Sequence, residues 1–164
     1  AGPALVDAPR PGQRSFGKGG ARIVEVALLD TAGRPLQAIA GGEAVTLRLR
    51  CRTREALERP IVGLIVKDRL GQVLFSENTF LRYGDRPVRC GHDSKNEARF
   101  AFSMPILAPG EYTIGAAIAD GTRLDHVQHH WIHDALVVTS VSSSVSTGLI
   151  GIPMREISLT VERT

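Results

Sequence analysis

A chain of 164 residues, 43% of them hydrophobic, is long enough for one domain with a real core and short for two. Its 20 Lys and Arg against 17 Asp and Glu give a formal charge of +3, with the two signs interspersed throughout, so no basic stripe for nucleic acid is evident. No apolar run nears the roughly 20 residues that span a bilayer, the first residues lack the blocks of a signal peptide, and two cysteines are too few for a disulfide framework.

Residues 1–20 hold Pro3, Pro9, Pro11 and several glycines without periodicity, and read as a linker or arm to which a preceding domain would attach. Residues 21–29, ARIVEVALL, alternate into a strand closed by the turn at 30–35. In 44–51, Val45, Leu47, Leu49 and Cys51 point one way while Thr46, Arg48 and Arg50 point the other. The centre is 60–79, where 61–67 and 72–76 flank the polar turn Asp68-Arg69-Leu70-Gly71 as a β-hairpin. Its strand period sets Val62, Leu64 and Val66 on a core face and Ile61, Gly63, Ile65 and Lys67 on a mixed one. Such a hairpin is marginal alone, so flanking segments must supply partner strands and a covering sheet.

Residues 80–95, with Gly84, Pro87, Gly91 and many charges, are expected to form a long loop of the kind that carries function. Short strands follow at 98–102, at 111–119 with Tyr112, Ile114, Ala116 and Ile118 sharing a face, and at 127–139. No stretch keeps a helical period over three turns. The pattern predicts an all-β antiparallel sandwich over 21–139, followed at 140–164 by a Ser-rich spacer and a detached C-terminal strand carrying Ile157, Leu159 and Val161.

Chemistry-bearing residues are few. His126, His129, His130 and His133 crowd beside Asp125 and Asp134, a composition that suits transition metals. On a strand, however, His130 and Asp134 face away from His129 and His133, and solvated strand histidines are the preferred reading, with no metal and no cofactor assigned. Neither G-x-S-x-G nor G-x-x-x-x-G-K-[ST] occurs, so no catalytic residue is assigned. Trp131 is the single tryptophan. It is either a core aromatic or, if Leu136 and Val138 face inward, an outward ring beside His129 and His133 that can stack on a sugar. A bulge between Trp131 and Leu136 would reverse that parity. The candidate carbohydrate-binding set is Trp131, His129 and His133, joined across the sheet by Asn78, Arg48 and Thr113.

Several segments in order resemble a known family: Phe16-Gly17-Lys18-Gly19-Gly20-Ala21-Arg22-Ile23, Pro60-Ile61-Val62-Gly63 through Asp68, Gly71, Phe75, Asn78 and Thr79, Leu107-Ala108-Pro109-Gly110-Glu111-Tyr112, Ala117-Ile118-Ala119-Asp120 and Asp134-Ala135-Leu136. Together they resemble the C-terminal carbohydrate-binding domain of the ATPase subunit of O-antigen polysaccharide ABC transporters, the Wzt family. The resemblance implies an immunoglobulin-like β-sandwich attached to a nucleotide-binding domain, located in the cytoplasm at the inner face of the inner membrane through the transporter. It further implies non-catalytic recognition of the O-antigen polysaccharide, with reduced thiols at Cys51 and Cys90. A homodimer is expected, its residues 154–161 adding to the partner's sheet, with return onto the chain's own edge as the alternative. A structural or protein-interaction sandwich is the competing reading of function.

Overall fold

The computed structural model describes residues 4–5, 15–122, 124–143 and 148–161. In chain order the strands are β1 (Ala4–Leu5), β2 (Ser15–Phe16), β3 (Ala21–Leu29), β4 (Ala38–Ile39), β5 (Ala44–Thr53), β6 (Pro60–Lys67) and β7 (Val73–Asn78). A one-turn helix α1 (Phe80–Tyr83) precedes β8 (Lys95–Ser103), β9 (Ile106–Leu107), β10 (Gly110–Gly121), β11 (His126–Ser140) and β12 (Ile150–Gly151). One sheet runs β1-β3-β5-β8; the other runs β2-β11-β10-β6-β7, and β4 lies parallel beside the far end of β11. Every other described pairing is antiparallel.

The sheets pack through the faces that alternation marks as apolar. On β5, Val45, Leu47, Leu49 and Cys51 are all buried, and across the interior Leu64, Val66, Ile114, Ala116, Ile118 and Ile132 meet them. Phe75 of the hairpin meets Phe102 of the opposite sheet edge-on, with ring centroids 6.2 Å apart. Burial of these side chains is the main force holding the two sheets together.

Local chemistry fixes the connections. Asp30 and Asp68 open two turns of the same design: each carboxylate accepts the backbone N–H groups two and four residues ahead, Ala32 and Arg34 in one case, Leu70 and Gln72 in the other. At the start of β10 the Tyr112 hydroxyl donates to the Ala108 carbonyl four residues upstream at 2.8 Å. That is the corner by which immunoglobulin-like sandwiches tie a connection to the following strand.

The ends depart from the sequence-based expectation. Within the presumed N-terminal arm, β1 pairs with β3 and β2 pairs with β11, so the sandwich draws strands from ahead of residue 21. Ser140 closes β11 and Ser142 is buried, so the spacer begins later than residue 140. After it, β12 returns to β9 of the same chain. Residues 154–161 do not return onto the chain's own sheets: Ile157 and Leu159 are 88% and 92% exposed, and the segment pairs with no strand among the described residues. An alternating apolar sequence gives a strand its faces but supplies no edge to pair with.

The 80–95 loop is irregular after α1 and is pinned by the Leu57–Cys90 bridge. Cys51 and Cys90 are both free and buried. Burial, then the neighbouring Cys90, pushes the Cys51 thiol up to about 12, and burial with Asp120 nearby raises Cys90. Thiolates react and thiols do not. Thiol titration of freshly prepared protein should therefore find almost no reaction while folded and two sulfhydryls after unfolding without reductant; reductant-dependent recovery of both would mean a disulfide instead.

Candidate functional site

The outer face of the β2-β11-β10-β6-β7 sheet contains a trough of about 250 Å³. Its floor comes from the two central strands, which present small side chains outward: Gly63 from β6, and Gly115, Ala117 and Ala119 from β10. Register sets Ala117 opposite both Gly63 and Trp131, so the floor is lowest where the tryptophan stands. Gly115 has no room for more: a Cβ there would lie 2.8 Å from the His133 carbonyl oxygen and 3.0 Å from that of Ile132.

The walls are larger and more polar. One is Asn78 and Ser76 of β7, with Ile61 and Ile65 of β6 in front; the other is Trp131, Gln128 and His126 of β11. Trp131 is half-buried, and its ring stands 5.9 Å from that of His133, tilted by 34°. Gln128 contributes a carboxamide oxygen that is buried yet has no hydrogen-bond partner among the described residues. Leaving such an acceptor unsatisfied costs about 1–3 kcal/mol, so a buried one beside a trough points to a donor arriving from outside.

Two irregularities in β11 decide what faces the trough. Against β10, Ile118 pairs with His130 and Ala119 with Gln128, which leaves His129 as one extra residue. That bulge is held by the glycine segment before β3: Lys18 and Gly19 donate their N–H groups to the Gln128 and His129 carbonyls, and Gly20 donates to His129 Nδ1 at 3.1 Å. A Cβ at Gly20 would lie 2.5 Å from that nitrogen, so the contact needs glycine. The second irregularity adds two residues between Ile132 and Leu136, which preserves parity and leaves Trp131 and His133 facing outward while Ile132 is fully buried.

Of the six residues expected to form a site, Trp131 and Asn78 line the trough, and His133 stands against Trp131. His129 does not join them: the bulge turns it inward, 3% exposed, where its ring accepts from Gly20 and lies 3.8 Å from Glu55. Arg48 belongs to β5 in the opposite sheet and is bound to Glu25, because parity names the face of a strand without naming its sheet. Thr113 shares the outer face of β10 but lies four residues from Ala117, about 13 Å along the strand. Sequence reasoning missed Gln128, which the bulge brings out, and the small floor, whose signal was present in the alternation of Gly63 and Ala117 with core residues.

The histidines have other tasks. His130 Nδ1 accepts the Ile23 N–H at 2.9 Å, and burial, reinforced by Arg22, holds its pKa below the usual histidine value. His126 Nδ1 lies 3.0 Å from the Thr122 carbonyl oxygen. Among the described residues no group of three or more His, Cys, Asp or Glu is placed to hold a metal ion. No described helix is long and apolar enough to cross a membrane.

Two other depressions among the described residues are larger. One, about 560 Å³, is the half-open edge of the core beneath the 80–95 loop, bounded by Cys51, Val62, Cys90 and Ile118. The other, about 520 Å³, lies on the opposite sheet between Arg50, Arg52 and Lys95. Neither combines an aromatic plate, a flat floor and a polar rim, as the trough does.

The family model described as the Wzt C-terminal domain matches residues 12–152. The solved C-terminal domain of Wzt superposes with a TM-score of 0.80 at 18% identity, over 92% of this chain and 90% of that one, which shows a shared fold. A CARDB domain from Pyrococcus furiosus, solved with di-metal ions, gives a TM-score of only 0.40 at 9% identity, over 73% of this chain and 90% of its own. None of the curated protein sequences matches.

Proposed function

Because the chain belongs to the Wzt C-terminal domain family, that of an O-antigen ABC transporter subunit, we propose that it recognises an O-antigen polysaccharide for export without acting on it chemically. The observation that carries the reading is the trough on the outer sheet face, with a half-buried tryptophan at one wall and the unsatisfied Gln128 oxygen beside it. The flat Gly63–Ala117 floor admits the apolar face of a sugar ring against Trp131, and Asn78, Ser76, Gln128 and His126 stand where ring hydroxyls need partners. Its volume falls below the roughly 300–1,000 Å³ of clefts that enclose a small molecule. A shallow trough of that size reads one ring, such as a chain terminus, and leaves the rest of the polymer in solvent. In this reading the domain works in the cytoplasm, joined through its parent chain to the ATPase domain and the membrane subunit. Titration calorimetry of the chain with the host's own O-antigen should give saturable binding; heat no different from that of an unrelated polysaccharide would contradict recognition.

The exposed tail supports a homodimer. Ile157, Leu159 and Val161 alternate and stand in solvent, and a partner's sheet edge is the simplest place to bury them. Because β12 completes the fold of its own chain, the informative truncation is after Pro153. Light scattering should then show a dimer for the full chain and a monomer for the truncated one. A dimer that survives truncation would place the interface elsewhere, and a full-length monomer at micromolar concentration would remove the exchange. The same tail is what favours the second reading, a protein-interaction sandwich, which predicts a tail-bound partner protein and no glycan binding.

A further inference from the structure

Two histidine rings of β11 hold the segment that leads into β3 by the same kind of contact. The Gly20 N–H donates to His129 Nδ1 at 3.1 Å, and the Ile23 N–H donates to His130 Nδ1 at 2.9 Å. A ring nitrogen that accepts carries no proton, so in this arrangement both imidazoles are neutral, with their hydrogen on Nε2. Beside them, Lys18 and Gly19 donate to the Gln128 and His129 carbonyls. The Gly20 carbonyl accepts from the backbone of Arg54 and Glu55, which clamps the glycine from its other side.

Protonation would put an N–H on Nδ1 of each ring, facing a backbone N–H that it cannot bind. A buried donor set against a donor is costly. For His129 a second partner stands ready: Glu55 Oε1 lies 3.8 Å from the same Nδ1, exposed and shared with Lys18 Nζ at 3.7 Å. Neutral His129 takes Gly20 and charged His129 takes Glu55, so the ring has one partner for each charge state. At His130, burial and then Arg22 of β3 hold the ring below the usual histidine value. The residues in register from β10, Ile118 and Ala119, and those of β2, Ser15 and Phe16, carry no charge. Asp120, next along β10, accepts the Arg59 N–H at 2.7 Å.

We propose that His129 and His130 form a proton-sensitive latch on the trough: neutral rings fasten residues 18–23 to β11 and keep Gln128 turned outward, and protonation releases both. Gln128 lines the trough because the bulge takes up His129 as the extra residue. Once the Gly20 contact is lost, nothing fixes the His129 ring inward, and a one-residue slip exchanges the two faces of the strand end. The trough then loses the buried acceptor in its wall. Control of binding rests on the reading of the trough as a ligand site; the latch itself does not.

Amide hydrogen exchange of the full chain reads the latch without a ligand. Relative to intrinsic rates, protection at Lys18, Gly19, Gly20 and Ile23 should fall at least about tenfold between about pH 8 and about pH 5, while β10 stays protected. His129→Asn with His130→Asn supplies a carboxamide oxygen that accepts as Nδ1 does and takes up no proton, so this variant should keep its protection throughout. Gly20→Ala would place a carbon 2.5 Å from His129 Nδ1, and should show at about pH 8 the loss that wild type shows at about pH 5. Linkage gives a second sign: a histidine held below its unfolded value contributes stability above about pH 6.5 that is lost as the pH falls toward the folded value. Wild type should therefore lose more melting temperature over that interval than the double variant. For the trough, calorimetry with the host's O-antigen polysaccharide should give at least about tenfold weaker binding by wild type at about pH 5 than at about pH 8, and a smaller change in the double variant. Wild-type protection that ignores pH, an equal loss in the double variant, or a Gly20→Ala chain as protected as wild type would overturn the latch. Equal loss of affinity in both proteins would assign the acid response to His126 and His133 and overturn control of the trough. Absence of binding at every pH would count against the reading of the trough, and exchange would still decide the latch.

Discussion

Ile132→Ala is expected to cost about 2–5 kcal/mol of stability, the usual range for emptying a fully buried aliphatic site. For a chain of this size that lowers the melting temperature by about 10 °C. Ile132 is fully buried between the sheets, and it lies between the two irregularities of β11. Its backbone pairs with Ser15 on one side and Ala116 on the other, so the strand is held at both edges while its core anchor is removed. A thermal melt of the variant checks this. A shift of only one or two degrees would show that β11 does not run with this parity.

Trp131→Ala, one residue away on the same strand, should behave in the opposite manner. The tryptophan is half-buried on the outer face, so its removal opens no sealed cavity and should change stability by about 1 kcal/mol or less. Binding should suffer instead. Without the ring the trough loses its one aromatic wall, and His133 loses the surface it stands against. The expected loss of glycan affinity is at least about tenfold, or about 1.4 kcal/mol. Neighbouring substitutions with inverted effects on melting and binding are a signature that neither a wholly buried strand nor a wholly solvated one produces.

How much of this was legible in the sequence differed by element. β5 and the β6–β7 hairpin read cleanly because each is a regular strand with one apolar face, and the turn between β6 and β7 is closed by its own Asp68. β11 read only in part. Counting by twos from Val138 survives the irregularity near Asp134 because two extra residues restore parity, so of the two readings open for Trp131 the outward one matches the register. Beyond Trp131 the count fails at His129, where a single extra residue exchanges His129 for Gln128 at the surface. The cause lies 109 residues away, in the Gly20 N–H that binds the His129 ring, and no local pattern announces it. Arg48 failed differently: its outward direction was right and its sheet was wrong. Cross-strand neighbours were invisible for the same reason, since Arg22, Arg52 and Lys95 come together only through the β3-β5-β8 register. The tail keeps its alternation and forms no strand among the described residues, because pairing depends on an edge that the sequence of the tail does not contain.

The central claim is that the trough beside Trp131 holds the sugar. Titration calorimetry of the wild-type chain and of Trp131→Ala against the host's O-antigen polysaccharide, with melting curves on the same samples, tests it most directly. The account predicts saturable binding by wild type, binding at least about tenfold weaker or absent in the variant, and melting temperatures within about 3 °C of each other. A variant that binds as well as wild type would contradict it, and so would one that loses binding only because it has lost about 10 °C of stability, as expected for a core residue.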